Sequence, residues 1–305
     1  MKKNLLILLA AALSSCSVLT ESQIKNINAF GLSAKSYAAF PGAVLKKRAA
    51  LHYNEAIVRT MQLATPELMK QNLDHAEAAY NKAMQLSDSF DLSLQLIQQY
   101  AGLLARLSTE SFVEDVNTNA TALGENLSGL VQTFNTKLPQ AKLPAGVGAA
   151  VSKAIFLVGA RLTRKQQAKE LKAFIPQGDK IVQASVKNLI DVLDADTPSL
   201  KGELEAEKQT FINTYSNIIL ANPSRVTYST VRQYTETLAD YNNLEALRKQ
   251  CVEAAGKLAT AHALLTKNIA RKMALPEIFK ETQELITSVQ GLYKLFNALH
   301  NSQPS

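Results

Sequence analysis

The chain has 305 residues, 47% hydrophobic and 19% charged, with a formal charge of +7. That is too apolar for an intrinsically disordered protein, and long enough to bury a sizeable core as one large domain or two ordinary ones. Twelve glycines and nine prolines exclude collagen-like and low-complexity classes; 6% aromatics with no Trp argue against a β-sandwich or base-stacking platform, and two Cys exclude a disulfide framework or an all-cysteine metal site.

Residues 1–16 read Met-Lys-Lys-Asn, an apolar run from Leu5 to Leu13, then Ser14-Ser15-Cys16. Lys2 and Lys3 form a positive n-region. A nine-residue apolar run has the length of a signal-peptide h-region, whereas a membrane span needs about 20 residues. Leu13-Ser14-Ser15-Cys16 resembles the lipobox of bacterial lipoproteins, with Leu three positions before the Cys and two small residues between. The resemblance covers residues 1–16 alone. It implies cleavage before Cys16, a diacylglycerol thioether on its sulfur and an acyl chain such as palmitate on the new amine. Three chains, at about 0.8 kcal/mol per buried CH₂, anchor a protein permanently to membrane lipid. Cleavage removes Lys2 and Lys3 and lowers the formal charge by two. Ser17, not Asp, follows the Cys. By the same resemblance this favours the outer membrane of a bacterial envelope. Cys251 is then the only free thiol. Ala254, Ala255 and Leu258 share its helical spacing, so it is expected to be a small buried apolar residue.

Residues 16–40 are expected to be a lipid-anchored tether with a short helical stretch, ending at Phe40-Pro41-Gly42. A helix over about 43–64 follows. Thr65-Pro66-Glu67 opens the next, with Thr65 as N-cap and Pro66 at the first helical position. It is expected to run to Leu86, where Ser87-Asp88 caps another through Leu107. Residues 76–86 resemble part of a tetratricopeptide helix, but nothing similar returns 34 residues later. Ser111-Phe-Val-Glu114 is a capping box. Val113, Val116, Ala120, Leu123, Leu127, Leu130 and Phe134 then recur every three or four residues, a stripe close to a coiled-coil seam.

Pro139 and Pro144 cannot share one regular helix, so this stretch is the best boundary between an N-terminal helical half (41–138) and a C-terminal half (145–303). Helices are expected over 146–174 and 179–195, broken at Pro176-Gln-Gly178. Thr197-Pro198 and Asn222-Pro223 open two more. Tyr228, Val231, Tyr234, Leu238 and Tyr241 form one face of the second, whose pattern continues to about Met273. Leu275-Pro276-Glu277 opens the last helix. No stretch alternates with period two, and no βαβ pattern is present. The fold class read from this pattern is all-α: an elongated multi-helix bundle of nine or ten helices, the two halves packed as one.

The chemical inventory is thin. His52, His75, His262 and His300 lie in no metal-ligand spacing. Asp74-His75-Ala-Glu77 reads as a solvated helix surface. No nucleophile elbow or phosphate loop is present, and Gly146-Val-Gly148 follows a proline linker, not a strand. Glu203, Glu205 and Glu207 beside Lys201 and Lys208 read as a charged helix start. No catalytic residue, metal or cofactor is expected, and the chain is not expected to be an enzyme.

Ala145 to Leu162 is an 18-residue apolar, small-residue segment containing three glycines. Gly148, Val151, Ile155 and Val158 would carry a membrane-active face of the kind that some helical pore-forming bundles keep folded inside. Lys153 opposes insertion by roughly 2.5–3.5 kcal/mol. The competing reading is a central bundle helix with Lys153 snorkelling outward. Arg161, Arg164, Lys165 and Lys169 form a candidate patch for anionic lipid headgroups, as do Lys46-Lys47-Arg48. Nucleic acid is a poor fit for a lipidated envelope protein. The expected role is a non-catalytic envelope scaffold or binding module with a protein partner, the alternative a membrane-active bundle using residues 145–162.

Overall fold

Helix follows helix wherever the three-to-four-residue apolar spacing is found. A computed structural model describes residues 19–60, 63–109, 116–137, 143, 164–194, 200–221, 223, 226–269 and 275–301. Among them are eight α-helices and no strand: α1 Glu21–Tyr37, α2 Pro41–Thr60, α3 Pro66–Leu107, α4 Val116–Lys137, α5 Arg164–Asp194, α6 Leu200–Ala221, α7 Tyr228–Asn268 and α8 Leu275–Asn301. The protein is an all-α multi-helix bundle. No described helix is long and apolar enough to cross a membrane.

Two expected helix breaks are absent. Helix α3 runs straight through Ser87-Asp88. The Ser87 hydroxyl is buried without a hydrogen-bond partner, so it caps nothing. Ser87 instead occupies a core position on the stripe Phe90, Leu94, Ile97, Ala101, Leu104, all buried. Helix α5 likewise runs through Pro176. An interior proline costs about 3 kcal/mol. The burial of Phe174, Ile175, Ile181 and Val182 around it outweighs that, at roughly 1.5–3 kcal/mol per side chain.

The stretch expected to be a tether is packed from Leu19 onward. Thr20 and Gln23 form a capping box: the Thr20 amide donates to Gln23 Oε1 at 2.9 Å, and the Gln23 amide to Thr20 Oγ1 at 3.2 Å. Helix α1 then buries Ile24, Ile27, Phe30, Ala34 and Tyr37. The Thr65 cap is as expected, its hydroxyl accepting from the Leu68 amide at 3.3 Å. Helix α7 opens later than Asn222-Pro223, at Tyr228, because Thr227 caps it by accepting from the Thr230 amide at 3.3 Å. The boundary prolines 139 and 144, the capping box at 111–114 and Thr197-Pro198 lie outside the described residues.

The chain divides into two compact units, each assembled from three stretches of sequence. Unit 1 comprises residues 1–36, 95–186 and 256–287. In it α1 runs antiparallel to the C-terminal part of α3. Asn28 Nδ2 donates to the Ala105 carbonyl at 2.8 Å, and Gly31 lies against the α3 backbone at Ala101 and Ala105. Its core includes Ile97, Tyr100, Leu104, Leu127, Phe134, Leu171, Phe174, Leu258 and Leu285. Unit 2 comprises residues 37–94, 187–255 and 288–305. Its core includes Val44, Leu51, Phe90, Leu189, Leu204, Phe211, Tyr241, Leu244 and Leu292. Cys251 is free and buried there, as expected, and burial pushes its thiol well up from the usual value. Its carbonyl accepts from the Tyr37 hydroxyl at 3.1 Å.

Candidate functional site

A connected polar group in unit 1 centres on His262, on α7 and 0% exposed. Its Nε2 lies 2.7 Å from the Tyr100 hydroxyl on α3, and its Nδ1 lies 2.8 Å from Asp179 Oδ1 on α5. The Asp179 carboxyl is held below its usual range, chiefly by the hydrogen bond from His262, so it is an acceptor. A neutral imidazole has one donor and one acceptor. Nδ1–H therefore donates to Asp179, and Nε2 accepts from Tyr100. Burial lowers the pKa of His262 despite the opposing pull of Asp179, which keeps the ring neutral. Burial, with the Asp179 charge behind it, raises that of Tyr100. Gln183 extends the chain of bonds, donating to Asp179 Oδ1 at 3.2 Å and to the Ala259 carbonyl at 3.0 Å.

The order Tyr–His–Asp has the connectivity of an acid–base relay. Its surroundings give it another use. Phe30 lies 5.4 Å from the imidazole centroid, and Phe174 stacks on Tyr100 at 5.1 Å. The Tyr100 ring covers Gly178, at a position where no side chain fits. The imidazole is sealed, and the relay ties α3, α5 and α7 together through a buried Tyr100–His262 bond and a part-buried bond to Asp179. Satisfied buried networks of this kind rigidify and specify a core.

Unit 2 holds a more open polar cluster. Arg48 on α2 reaches Glu207 of α6 at 2.6 Å and Glu203 at 2.7 Å. His52, one turn on, places Nδ1 3.2 Å from Glu207. Burial pushes the Glu207 carboxyl up, but the adjacent His52 and the hydrogen bonds from Arg48 outweigh it and hold the pKa down. The Glu207 carboxylate beside it also raises that of His52. The Tyr241 hydroxyl nearby is buried without a partner. Lys47 pairs with Asp240 at 2.7 Å and Lys46 with Asp91 at 3.6 Å. The Lys46-Lys47-Arg48 run thus has acidic partners within its own unit. Glu203 and Glu207 are those partners rather than only a charged helix start. Arg248, almost fully buried, binds Glu245 and Asp194 at 2.7 and 2.6 Å and donates to the Leu193 carbonyl at the end of α5. No group of three or more metal-ligating side chains is present among the described residues.

An aromatic cluster of Phe211, Tyr215, Tyr234 and Tyr241 joins α6 to α7, with centroid separations from 4.8 to 5.7 Å. Near the end of α6 and the start of α7, large apolar side chains are exposed. Leu220 is 76% exposed, Tyr228 83% and Val231 45%. Of the expected α7 stripe, Tyr241 alone is fully buried, with Tyr234 and Leu238 half-buried.

Asp74, His75 and Glu77 are exposed, in line with a solvated surface. Cys16, Gly148, Val151, Ile155, Val158 and Arg161 lie outside the described residues. Arg164 begins α5, and Lys165 and Lys169 are exposed on its first two turns. No local pattern signals the His262 network: its members stand 162 and 83 residues apart and meet only through packing. Comparison with protein-family models, curated proteins and solved structures found no match to this chain.

Proposed function

We propose that this chain is a lipid-anchored bacterial envelope protein, held by acylated Cys16 in the outer membrane, that presents helix surfaces to a protein partner without catalysing a reaction. The observation that carries the reading is Leu13-Ser14-Ser15-Cys16, placed at the end of a nine-residue apolar run behind two lysines. The exposed Leu220, Tyr228 and Val231 support the partner: large apolar side chains clustered in water mark interaction surfaces. The complete burial of the His262 ring supports a structural use of this acid–base constellation.

The test is mass spectrometry of the N-terminal peptide from membranes of the native host, with Cys16→Ala as control. A diacylated or triacylated Cys16 is expected. An unmodified protein cut elsewhere and freely secreted overturns the reading. A photo-crosslinking residue at Tyr228 is then expected to capture a discrete partner that the same residue at Lys201 does not.

A second reading rests on the apolar sequence of residues 145–162 and its basic flank. It expects dye leakage from liposomes by the unlipidated Cys16→Ala protein, abolished by Ile155→Asp and Val158→Asp. Intact liposomes would remove it.

A further inference from the structure

The place where the chain leaves the lipid and the polarity of the unit 1 helices fix which end of that unit faces the membrane. Cys16 is three residues from Leu19, which is already buried. At 3.3–3.6 Å per residue those three span at most about 11 Å. A lipidated Cys16 therefore holds the start of α1 close to the headgroups.

The bonds within unit 1 show what else lies at that end. Gln23, Asn26 and Ile27 of α1 share a shallow recess with Leu265 and Asn268 of α7 and Ile278 of α8. The C-terminus of α7 and the N-terminus of α8 are thus beside the start of α1. Asn28 bonds Ala105, which brings the end of α3 to the same place. Gln167 donates to the Leu107 carbonyl at 2.8 Å and the Thr109 carbonyl at 3.2 Å, which adds the first turns of α5. Five helix ends gather there.

Their exposed charges are mainly basic. Arg106 ends α3, Lys165 and Lys169 begin α5, and Lys267 ends α7; all four are exposed. Among the described residues, the acids at this end are Glu277, the half-buried Glu281, the buried Glu170, and Glu21, which pairs with Lys25 at 2.6 Å. Phe279, half exposed, stands beside them on the first turns of α8. Screening limits attraction between exposed charges to about 8 Å at physiological ionic strength. A long spacer would let these cations stand well beyond that range; a link of at most about 11 Å lets them come within it.

We propose that this end of unit 1 is a lipid-contact face, with Arg106, Lys165, Lys169 and Lys267 on anionic headgroups and Phe279 at the interface, so that the protein stands on its membrane in one orientation. The proposal rests on the lipidation of Cys16. Basic side chains near an anionic surface and an aromatic at headgroup level are the usual elements of such a contact.

The test uses the lipidated full chain, purified from membranes and reconstituted in phosphatidylcholine vesicles with 30 mol% phosphatidylglycerol and a headgroup-nitroxide lipid. A fluorophore is placed by Lys165→Cys, Lys267→Cys or Lys180→Cys in separate samples; Cys251 is buried and does not compete. Lys180 is exposed on α5, about 22 Å beyond Lys165 at 1.5 Å per residue. Quenching at 165 and 267 is expected to be at least threefold that at 180. The contrast is expected to fall at least twofold when phosphatidylcholine replaces phosphatidylglycerol, and a contrast indifferent to headgroup charge overturns the role of the cations. The mass of each sample is measured alongside. An unlipidated Cys16 removes the anchoring reading and this proposal with it. A lipidated chain quenched equally at all three positions overturns the contact face alone.

Discussion

Glycines lie inside several helices of unit 1, and their surroundings assign opposite signs to the same substitution. At Gly31 a methyl group would stand 2.8 Å from the Ala105 amide nitrogen and 2.9 Å from the Ala101 carbonyl oxygen. These are backbone atoms of α3, so no rotamer change makes room and α1 must move away. Overpacking of this kind costs about 1–3 kcal/mol, against a gain of up to about 1 kcal/mol from replacing glycine in a helix. Moving α1 also strains the Asn28–Ala105 bond one turn away. Gly31→Ala is therefore expected to destabilise by about 1–2 kcal/mol. At Gly256 no atom lies within 4 Å of the added carbon, so Gly256→Ala keeps the propensity gain and stabilises by about 0.5–1 kcal/mol. Urea unfolding of the mature chain, followed by far-UV circular dichroism, reads both. Ala105→Gly is expected not to rescue Gly31→Ala, because the nearest atoms are main chain. A Gly31→Ala protein as stable as its parent would refute the α1–α3 approach on which unit 1 is built, and a destabilised Gly256→Ala would refute the open surroundings of that position on α7.

Gly178→Ala places its methyl inside the Tyr100 ring and is expected to destabilise like Gly31→Ala, while Gly129→Ala, in open space, is expected to resemble Gly256→Ala in the same assay. Tyr100→Phe leaves His262 Nε2 buried without a donor and is expected to cost about 1–3 kcal/mol by urea unfolding; an unchanged midpoint would mean that water reaches the ring. The two histidines give opposite pH dependences. His262 has a folded pKa below 6.5, so its contribution is fully present above 6.5 and lost as pH falls toward the folded value. His52 has a folded pKa above 6.5, so its contribution is fully present below 6.5 and lost as pH rises through the folded value. In unfolding measured from pH 5 to 8, His262→Gln is expected to remove a loss of stability on acidification. His52→Gln removes a gain, and the reverse pattern would exchange their environments.

What was legible in the chain is what local spacing determines. The Thr65 cap and the start of α8 at Leu275 are short-range signals that packing left intact. Helix α1 was equally legible: Thr20 and Gln23 spell a capping box, and Ile24, Ile27, Phe30, Ala34 and Tyr37 follow at helical spacing. Its position just after the lipobox favoured reading it as a spacer. Ser87 and Pro176 mislead for a different reason. Each is a sound local signal for a break, worth one hydrogen bond or a few kcal/mol. Each sits inside a stripe of buried side chains whose combined burial is several times larger. Tertiary burial decides such a contest, and a single window of sequence does not contain it.

The polar centres were not legible, because their chemistry is made by distance in sequence. Asp179, His262 and Tyr100 each look unremarkable in their own helix, and Arg48 meets Glu207 across 159 residues. The basic run beginning α5 shows the same dependence in the other direction. From sequence, Lys165 and Lys169 are indistinguishable from Lys46 and Lys47 as candidates for lipid. Lys46 and Lys47 turn out to face Asp91 and Asp240. Lys165 and Lys169 stand exposed one turn or less from Gln167, whose bonds fix them at the end of unit 1 where the chain continues toward Cys16. A cationic run is given meaning by what its helix end is packed beside, so the proposed anchor and the proposed contact face constrain each other: three residues of chain leave the bundle little freedom to turn another end to the membrane.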